Sequence, residues 1–437
     1  MSLRDSAAPR SALIGVALAL GLSLGPAALG QPQAQRSEQG TSRAAGRNAE
    51  DEPAQSTSID AQTGKIINEA IELMNADDNA AAEQKIGTLR LDRLSPYERG
   101  RVEQILFSIA FNQEQYDEAR GHLQKAIDSG GLNAQEIDSA RYQSAQLYMQ
   151  EEKWRQAAAA FEEWFKTASN PNSAAYYYLA AAYYQQEDFA RALAPAKKAV
   201  ELMDPAKPNE SWLSMLSALY LNREEYREAI PVMQQLIEAA PDKKSYWVQL
   251  SQVYVQTEDY ARGLAVMQLA YNEGLLTEDS DLRRLADLLV FNDVPYRGAQ
   301  ILEAAIAKNI MTLDDKLYEK LANCWIVASE LDRAIAPLER AAALSSTGDL
   351  FVRLGEVHVQ REDWAAAIAA VERGVDKGQL KDPASAQLML GIAHYRQKEL
   401  DAAVPFLQRA RQVAKHQPVA DSYLQAIAAE QRSRLRL

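Results

Sequence analysis

The chain has a single cysteine, Cys324, in 437 residues. It can form no disulfide within itself and lacks the thiolates of a cysteine-based metal site. Cys324 stands between Leu321 and Trp325 at helical spacing, the place of a small core side chain. Histidine is almost as scarce: His122, His358, His394 and His416 are all there is. No G-x-x-x-x-G-K-S/T loop, H-E-x-x-H helix or C-x-x-C pair occurs, so the chain has no phosphate-cradling or metal-hydrolase motif and implies no cofactor and no metal. Gly21, Ser23 and Gly25 do reproduce the G-x-S-x-G elbow. That motif needs a strand before it and a helix after it, and an apolar leader supplies neither. Positive charge is also in deficit. A formal net charge of -13 argues against a nucleic-acid partner, whose backbone is held by clustered Lys and Arg. Beyond the N-terminal region no long run alternates apolar and polar residues, so no sheet is expected.

What the chain has in abundance is helical period. Ser173 to Pro205 reads as two amphipathic helices broken at Gln186-Glu187-Asp188. The first carries Tyr176, Leu179, Ala180 and Tyr183, and the second Ala192, Ala196 and Ala199. The small residues sit where two helices of a hairpin would approach closely, and Phe189 fills the gap beside the turn. The same small anchor recurs at Ala82, Ala119, Ala157, Ala192, Ala229, Gly263, Gly298, Ala334, Ala367 and Ala403, at intervals of 33 to 38 residues. From Tyr116 onward a larger residue stands three positions before each anchor, most often an aromatic or Leu, with Pro295 the exception. One such hairpin cannot bury its own apolar face, so neighbours must stack on it.

These spacings resemble the tetratricopeptide (TPR) signature, W-x2-L-G-x2-Y, then A-x3-F, then P. Tyr176 stands for the Trp and Ala180 for the Gly, while Phe351, Leu354 and Gly355 fit most fully. The resemblance covers residues from about 60 to 417. It implies an all-α TPR solenoid, a right-handed superhelix of about ten helix-turn-helix repeats. Gly263 and Gly298 open their helices with the poorest helix former short of proline, which marks those hairpins as the expected weak point.

Ahead of the array, Arg4 and Arg10 precede an uncharged run from Ala12 to Leu24 and small residues up to Gly30. That order is a secretory signal peptide, residues 1–30, cut after Gly30. No cysteine follows, so no lipid anchor is expected, and the destination is the periplasm of a Gram-negative cell. An uncleaved anchor is the alternative. Residues 31–57 lack aromatics and read as a disordered linker. The array is expected over 58–417, with Ser95-Pro96 as a capped restart and Pro171, Pro205, Pro241 and Pro383 punctuating hairpins. Residues 418–437 read as a capping helix whose Arg432, Arg434 and Arg436 complement the helix dipole.

With no convergent catalytic set, function is expected from a surface. His358 and His394 replace the signature Tyr in consecutive hairpins and are expected close together, as half-buried imidazoles rather than ligands. In TPR arrays the first helix of each hairpin lines a concave groove. Its candidate peptide-binding residues here are Tyr142, Gln146, Met149, Tyr177, Tyr184, Leu221, Val248 and Gln252, with Ser214 and Val255 beside them. Exposed tyrosines would give contact area at small entropy cost, and packing between repeats is the competing account. The Lys, Arg and Asn of a carboxylate clamp are absent there, so chaperone tails are not the expected ligand. Leu94 to Ala119, Ser245 to Leu282 and Leu285 to Glu303 further resemble exported TPR proteins that accompany TonB, ExbB and ExbD energy-transducing systems. That resemblance implies a non-enzymatic periplasmic interaction scaffold accessory to TonB-dependent uptake, with a protein or extended-peptide partner. The alternatives are a scaffold for envelope assembly or an adaptor recruiting a peptidoglycan hydrolase.

Overall fold

The computed structural model describes residues 58–434; the leader and linker expected over 1–57 lie outside them. The described residues form 21 α-helices and one 3-10 turn, Leu91–Arg93, with no strand among them. They divide into two compact units between Ala239 and Ala240. In the first unit the hairpins are α1 (Ala61–Asn75) with α2 (Asn79–Gly87), α3 (Pro96–Asn112) with α4 (Tyr116–Asp128), α5 (Ala134–Gln150) with α6 (Trp154–Phe165), α7 (Ser173–Gln185) with α8 (Phe189–Glu201), and α9 (Glu210–Asn222) with α10 (Tyr226–Ala239). In the second they are α11 (Lys244–Gln256) with α12 (Tyr260–Asn272), α13 (Asp279–Phe291) with α14 (Pro295–Ala307), α15 (Asp315–Val327) with α16 (Leu331–Leu344), α17 (Asp349–Gln360) with α18 (Trp364–Lys377), and α19 (Pro383–Arg396) with α20 (Leu400–Arg411). A last helix, α21 (Gln417–Arg434), covers the end.

Each small anchor lies in the second helix of its hairpin and is buried. The large residue three positions earlier opens that helix, from Tyr116 in α4 to Leu400 in α20. The turn inside each hairpin is one geometry used ten times. The residues Asp77, Glu114, Glu152, Glu187, Glu224, Glu258, Asp293, Ser329, Glu362 and Lys398 take φ from 57° to 68°. The next amide then reaches back five residues, as from Gln115 to the Ala110 carbonyl at 2.8 Å and from Asp188 to the Tyr183 carbonyl at 3.0 Å. This closing bond satisfies carbonyls that a helix end leaves orphaned.

Helix starts are secured by side chains. Ser95 and Glu98 form a reciprocal capping box, with Glu98 Oε2 accepting from the Ser95 amide at 2.9 Å. The other oxygen of Glu98 accepts from the Asp60 amide at 2.9 Å, which ties the first hairpin to the second. Burial opposes ionisation of Glu98, but these amide bonds, with the Ser95 and Thr63 hydroxyls, outweigh it and hold the carboxyl below its ordinary range.

The glycine anchors have a packing reason. A Cβ at Gly263 would stand 3.2 Å from the Ser251 carbonyl oxygen, and one at Gly298 would meet the Ala286 carbonyl at 3.3 Å and Cys324 Sγ at 3.4 Å. The Ser251 hydroxyl donates to the Gly263 carbonyl at 2.8 Å across the same gap. These are close approaches between helices, and α12 and α14 run through them for thirteen residues each. Cys324 fills core beside Gly298. Burial pushes its thiol up to about 11, out of the reactive range.

Candidate protein-binding faces

First helices touch not only their own partners but each other: α1 meets α3 and α5 meets α7 in the first unit, and α13 meets α15 and α17 meets α19 in the second. A first helix is therefore packed on more than one side. That geometry decides the fate of the expected groove residues. Met149 is fully buried, and Gln146 and Tyr177 are each 7% exposed. These three side chains are packing, not contact surface. Tyr142, Tyr184 and Leu221 are half-buried; in the second unit Val248 is half-buried and Gln252 exposed.

The tyrosines are held by other rings. Tyr142 lies 4.9 Å from Trp164 and edge-on to Phe161 at 5.8 Å. Phe161 stacks on Tyr178 of the next hairpin at 6.0 Å, and Tyr177 stacks on Trp212 of the hairpin after that at 5.6 Å. Aromatic contact thus joins α5–α6, α7 and α9, which is the packing account of these residues. The loss of water shows in their acidity. Burial, reinforced by the neighbouring Tyr178, pushes the Tyr142 phenol well above its ordinary value and Tyr177 up to about 12. Tyr184 sits at the other end of α7, edge-on to Phe189 at 5.3 Å.

An accessible site lies on another side of the same hairpins. A cleft of about 950 Å³ opens between α6, α7 and α8, with Phe165, Pro171, Tyr176, Leu179 and Pro195 in its walls. Phe165 and Tyr176 meet at 4.7 Å between ring centroids. Glu163, Lys166 and Lys198 line its rim. Glu163 binds Lys166 at 2.6 Å, and Lys198 binds Glu201 at 3.0 Å, so much of the rim charge is balanced. Such a slot, apolar at the bottom and polar at the edge, suits side chains of a peptide. Tyr176 and Leu179 were legible as helix positions in the sequence. Their joint exposure was not, because it depends on how far apart α6 and α8 stand.

The histidine pair has no shared site. His358 is buried with Nδ1 3.9 Å from Asp363, and its protonation is disfavoured, by burial first, against the pull of Asp363. His394 bonds Glu399 through Nδ1 at 2.6 Å and stacks on Phe406 at 5.3 Å. His394 thus finds its partner inside its own hairpin, while the buried His358 Nδ1 makes no hydrogen bond. Among the described residues no three His, Cys, Asp or Glu side chains converge as metal ligands.

Residues 142–210, 215–278 and 352–418 match the tetratricopeptide repeat model. No curated protein matches the chain. Among solved structures, a tetratricopeptide repeat protein from Parabacteroides merdae is 18% identical over 59% of this chain and 98% of its own, with a TM-score of 0.31. The C-terminal part of a TPR repeat-containing protein from Cytophaga hutchinsonii is 15% identical over 64% of this chain and 95% of its own, at a TM-score of 0.36. The Cut9–Hcn1 hetero-tetramer of the APC/C is 13% identical over 84% of each chain, at 0.30. Hairpins that close on a buried small residue, with three separate stretches that match the repeat model, give this chain tetratricopeptide repeats and the all-helical solenoid fold built from them.

Proposed function

We propose that the protein is a non-enzymatic scaffold, exported to the periplasm, which holds an extended segment of a protein partner belonging to a TonB, ExbB and ExbD type complex. The observation that carries peptide binding is the apolar cleft shared by two consecutive hairpins, α5–α6 and α7–α8. Its walls come from three helices, so an extended chain crossing it would seat side chains in one recess while its backbone stays in water. The periplasmic and TonB parts are supported by the leader-like order of residues 1–30 and by the resemblance of Leu94 to Ala119, Ser245 to Leu282 and Leu285 to Glu303.

Leu179→Asp places a charge on the cleft wall without emptying the core. A photocrosslinking residue at Ala194, an exposed position in the cleft, should capture one protein in cells, and Leu179→Asp should abolish that capture while circular dichroism is unchanged. A deletion strain should lose growth on a nutrient that needs TonB-dependent uptake and regain it with the intact gene only. Normal growth across several such nutrients would move the reading to envelope assembly. Full rescue by Leu179→Asp would keep the pathway and discard the cleft.

A further inference from the structure

The ten hairpin turns can be compared position by position, because all share one geometry. The residue two before each left-handed turn residue ends its first helix at the surface. It is Asn75, Asn112, Gln150, Gln185, Asn222, Gln256 and Gln360 in seven hairpins and Arg396 in another. Only α13 and α15, in adjacent hairpins, end on apolar side chains: Phe291, 49% exposed, and Val327, 48% exposed. The residue after the left-handed one is polar in nine turns and Val294, 42% exposed, in the tenth. Two positions further on, Tyr296 is 43% exposed where every other hairpin has Ala, Asp or Arg. Four departures from the array's own rule therefore fall together on two neighbouring turns. Tyr260 of the preceding turn extends them: it packs on Phe291 at 4.1 Å, and the two line a recess of about 510 Å³. Solvation alone would keep the amides that the other turns use, since burying nothing with a Phe gains nothing.

The charge around this patch is mostly negative. The left-handed turn residue is Asp or Glu in eight of ten hairpins, and Glu258, Asp293 and Glu330 beside the patch form no ion pair among the described residues. Of the nearby cations, Arg297 reaches only Gln300, at 3.4 Å, and forms no ion pair among the described residues, while the other two are engaged. Arg262 is bound to Asp259, and Arg333 lies over the Trp325 ring at 3.4 Å while bonding Glu303 at 3.0 Å and the Tyr296 hydroxyl at 3.0 Å. Unpaired carboxylates flanking exposed apolar side chains complement a ligand of opposite sign.

We propose that the turn edge formed by the α11–α12, α13–α14 and α15–α16 hairpins is a second docking surface, for a linear protein segment with a bulky apolar side chain flanked by lysines or arginines. The apolar residue packs on the exposed Phe291 ring beside that recess, and the flanking cations face Glu258, Asp293 and Glu330. This surface shares no residue with the cleft of α6 to α8.

A displayed library of random short peptides, panned on the intact protein, tests this. Enriched peptides should carry the basic-apolar-basic pattern, and their affinity should fall steeply as salt rises to about 0.3 M, where screening is short-ranged. Phe291→Gln with Val327→Gln restores the amides that other hairpins carry at the same exposed place, so folding is unaffected. It should weaken the selected peptides by about tenfold or more, as loss of a central anchor does. Glu258→Gln with Asp293→Asn should weaken them and flatten the salt dependence, while Leu179→Asp should leave them bound. The proposal is overturned by an acidic or featureless consensus, or by peptides indifferent to both paired variants. It is also overturned by a dimer in sedimentation that Phe291→Gln with Val327→Gln dissolves, since a second copy would then be what covers the patch.

Discussion

A single residue that departs from its cheapest choice reports what the position is asked to do. The left-handed turn residue is such a case, because glycine adopts φ near +60° freely while a side chain there is strained. Glu187 sits at φ 59° and forms no ion pair among the described residues. Glu187→Gly should therefore raise stability, by about 0.5 to 1 kcal/mol after the entropy cost of glycine is set against the strain relieved. An unchanged denaturant midpoint would mean that the negative charge ahead of α8 compensates for the backbone. The opposite case is Gly355, where a Cβ would overlap Val371 Cγ2 and approach Met389 Sδ at 3.3 Å. Gly355→Ala should destabilise by about 1 to 3 kcal/mol, the usual range for overpacking. Calorimetry that ranks Gly355→Ala above wild type would show that α17 and α18 can part without penalty.

At the scale of the element, hairpins are held by one close contact and by their caps. Ala192 is fully buried in α8 against α7, and Ala190 is exposed in the same helix. Ala192→Leu should cost about 1 to 3 kcal/mol and Ala190→Leu close to nothing. Equal midpoints for the two would displace the register of the whole repeat. The capping box at α3 adds a pH signature. Because Glu98 is held below its ordinary range when folded, its contribution is complete above the unfolded carboxylate pKa and is lost as pH falls through the folded one. Wild type should thus lose more stability than Glu98→Gln between about pH 5 and pH 3, the window just around ordinary carboxylates. Parallel stability curves for the two proteins would show that Glu98 keeps an ordinary pKa.

For the whole molecule, what could be read from the sequence was the repeat, and the reason is local. An anchor such as Ala192 and the large residue before it, Phe189, are fixed by contacts inside one hairpin, so spacing alone finds them. The binding face is not local. Helix α7 carries Ala175, Tyr177, Ala180, Ala181, Ala182 and Tyr183 all buried, and an element apolar on nearly every side does not announce which side its neighbours leave open. Tyr177 was expected at the surface and is instead stacked on Trp212 of the following hairpin. Its truncation is a test of the array, not of a ligand. Tyr177→Ala should leave a cavity worth about 3 kcal/mol or more. The loss should appear as a lower denaturant midpoint and as faster amide exchange in α7 and α9 together, because the missing ring contacts both. Any weakening of a partner bound at the α6 to α8 cleft should then track that loss of order, whereas Leu179→Asp should weaken the partner with the midpoint nearly unchanged. If Tyr177→Ala weakens the partner while exchange in α7 and α9 stays as in wild type, Tyr177 reaches the ligand after all and the first-helix face regains its place as the binding surface.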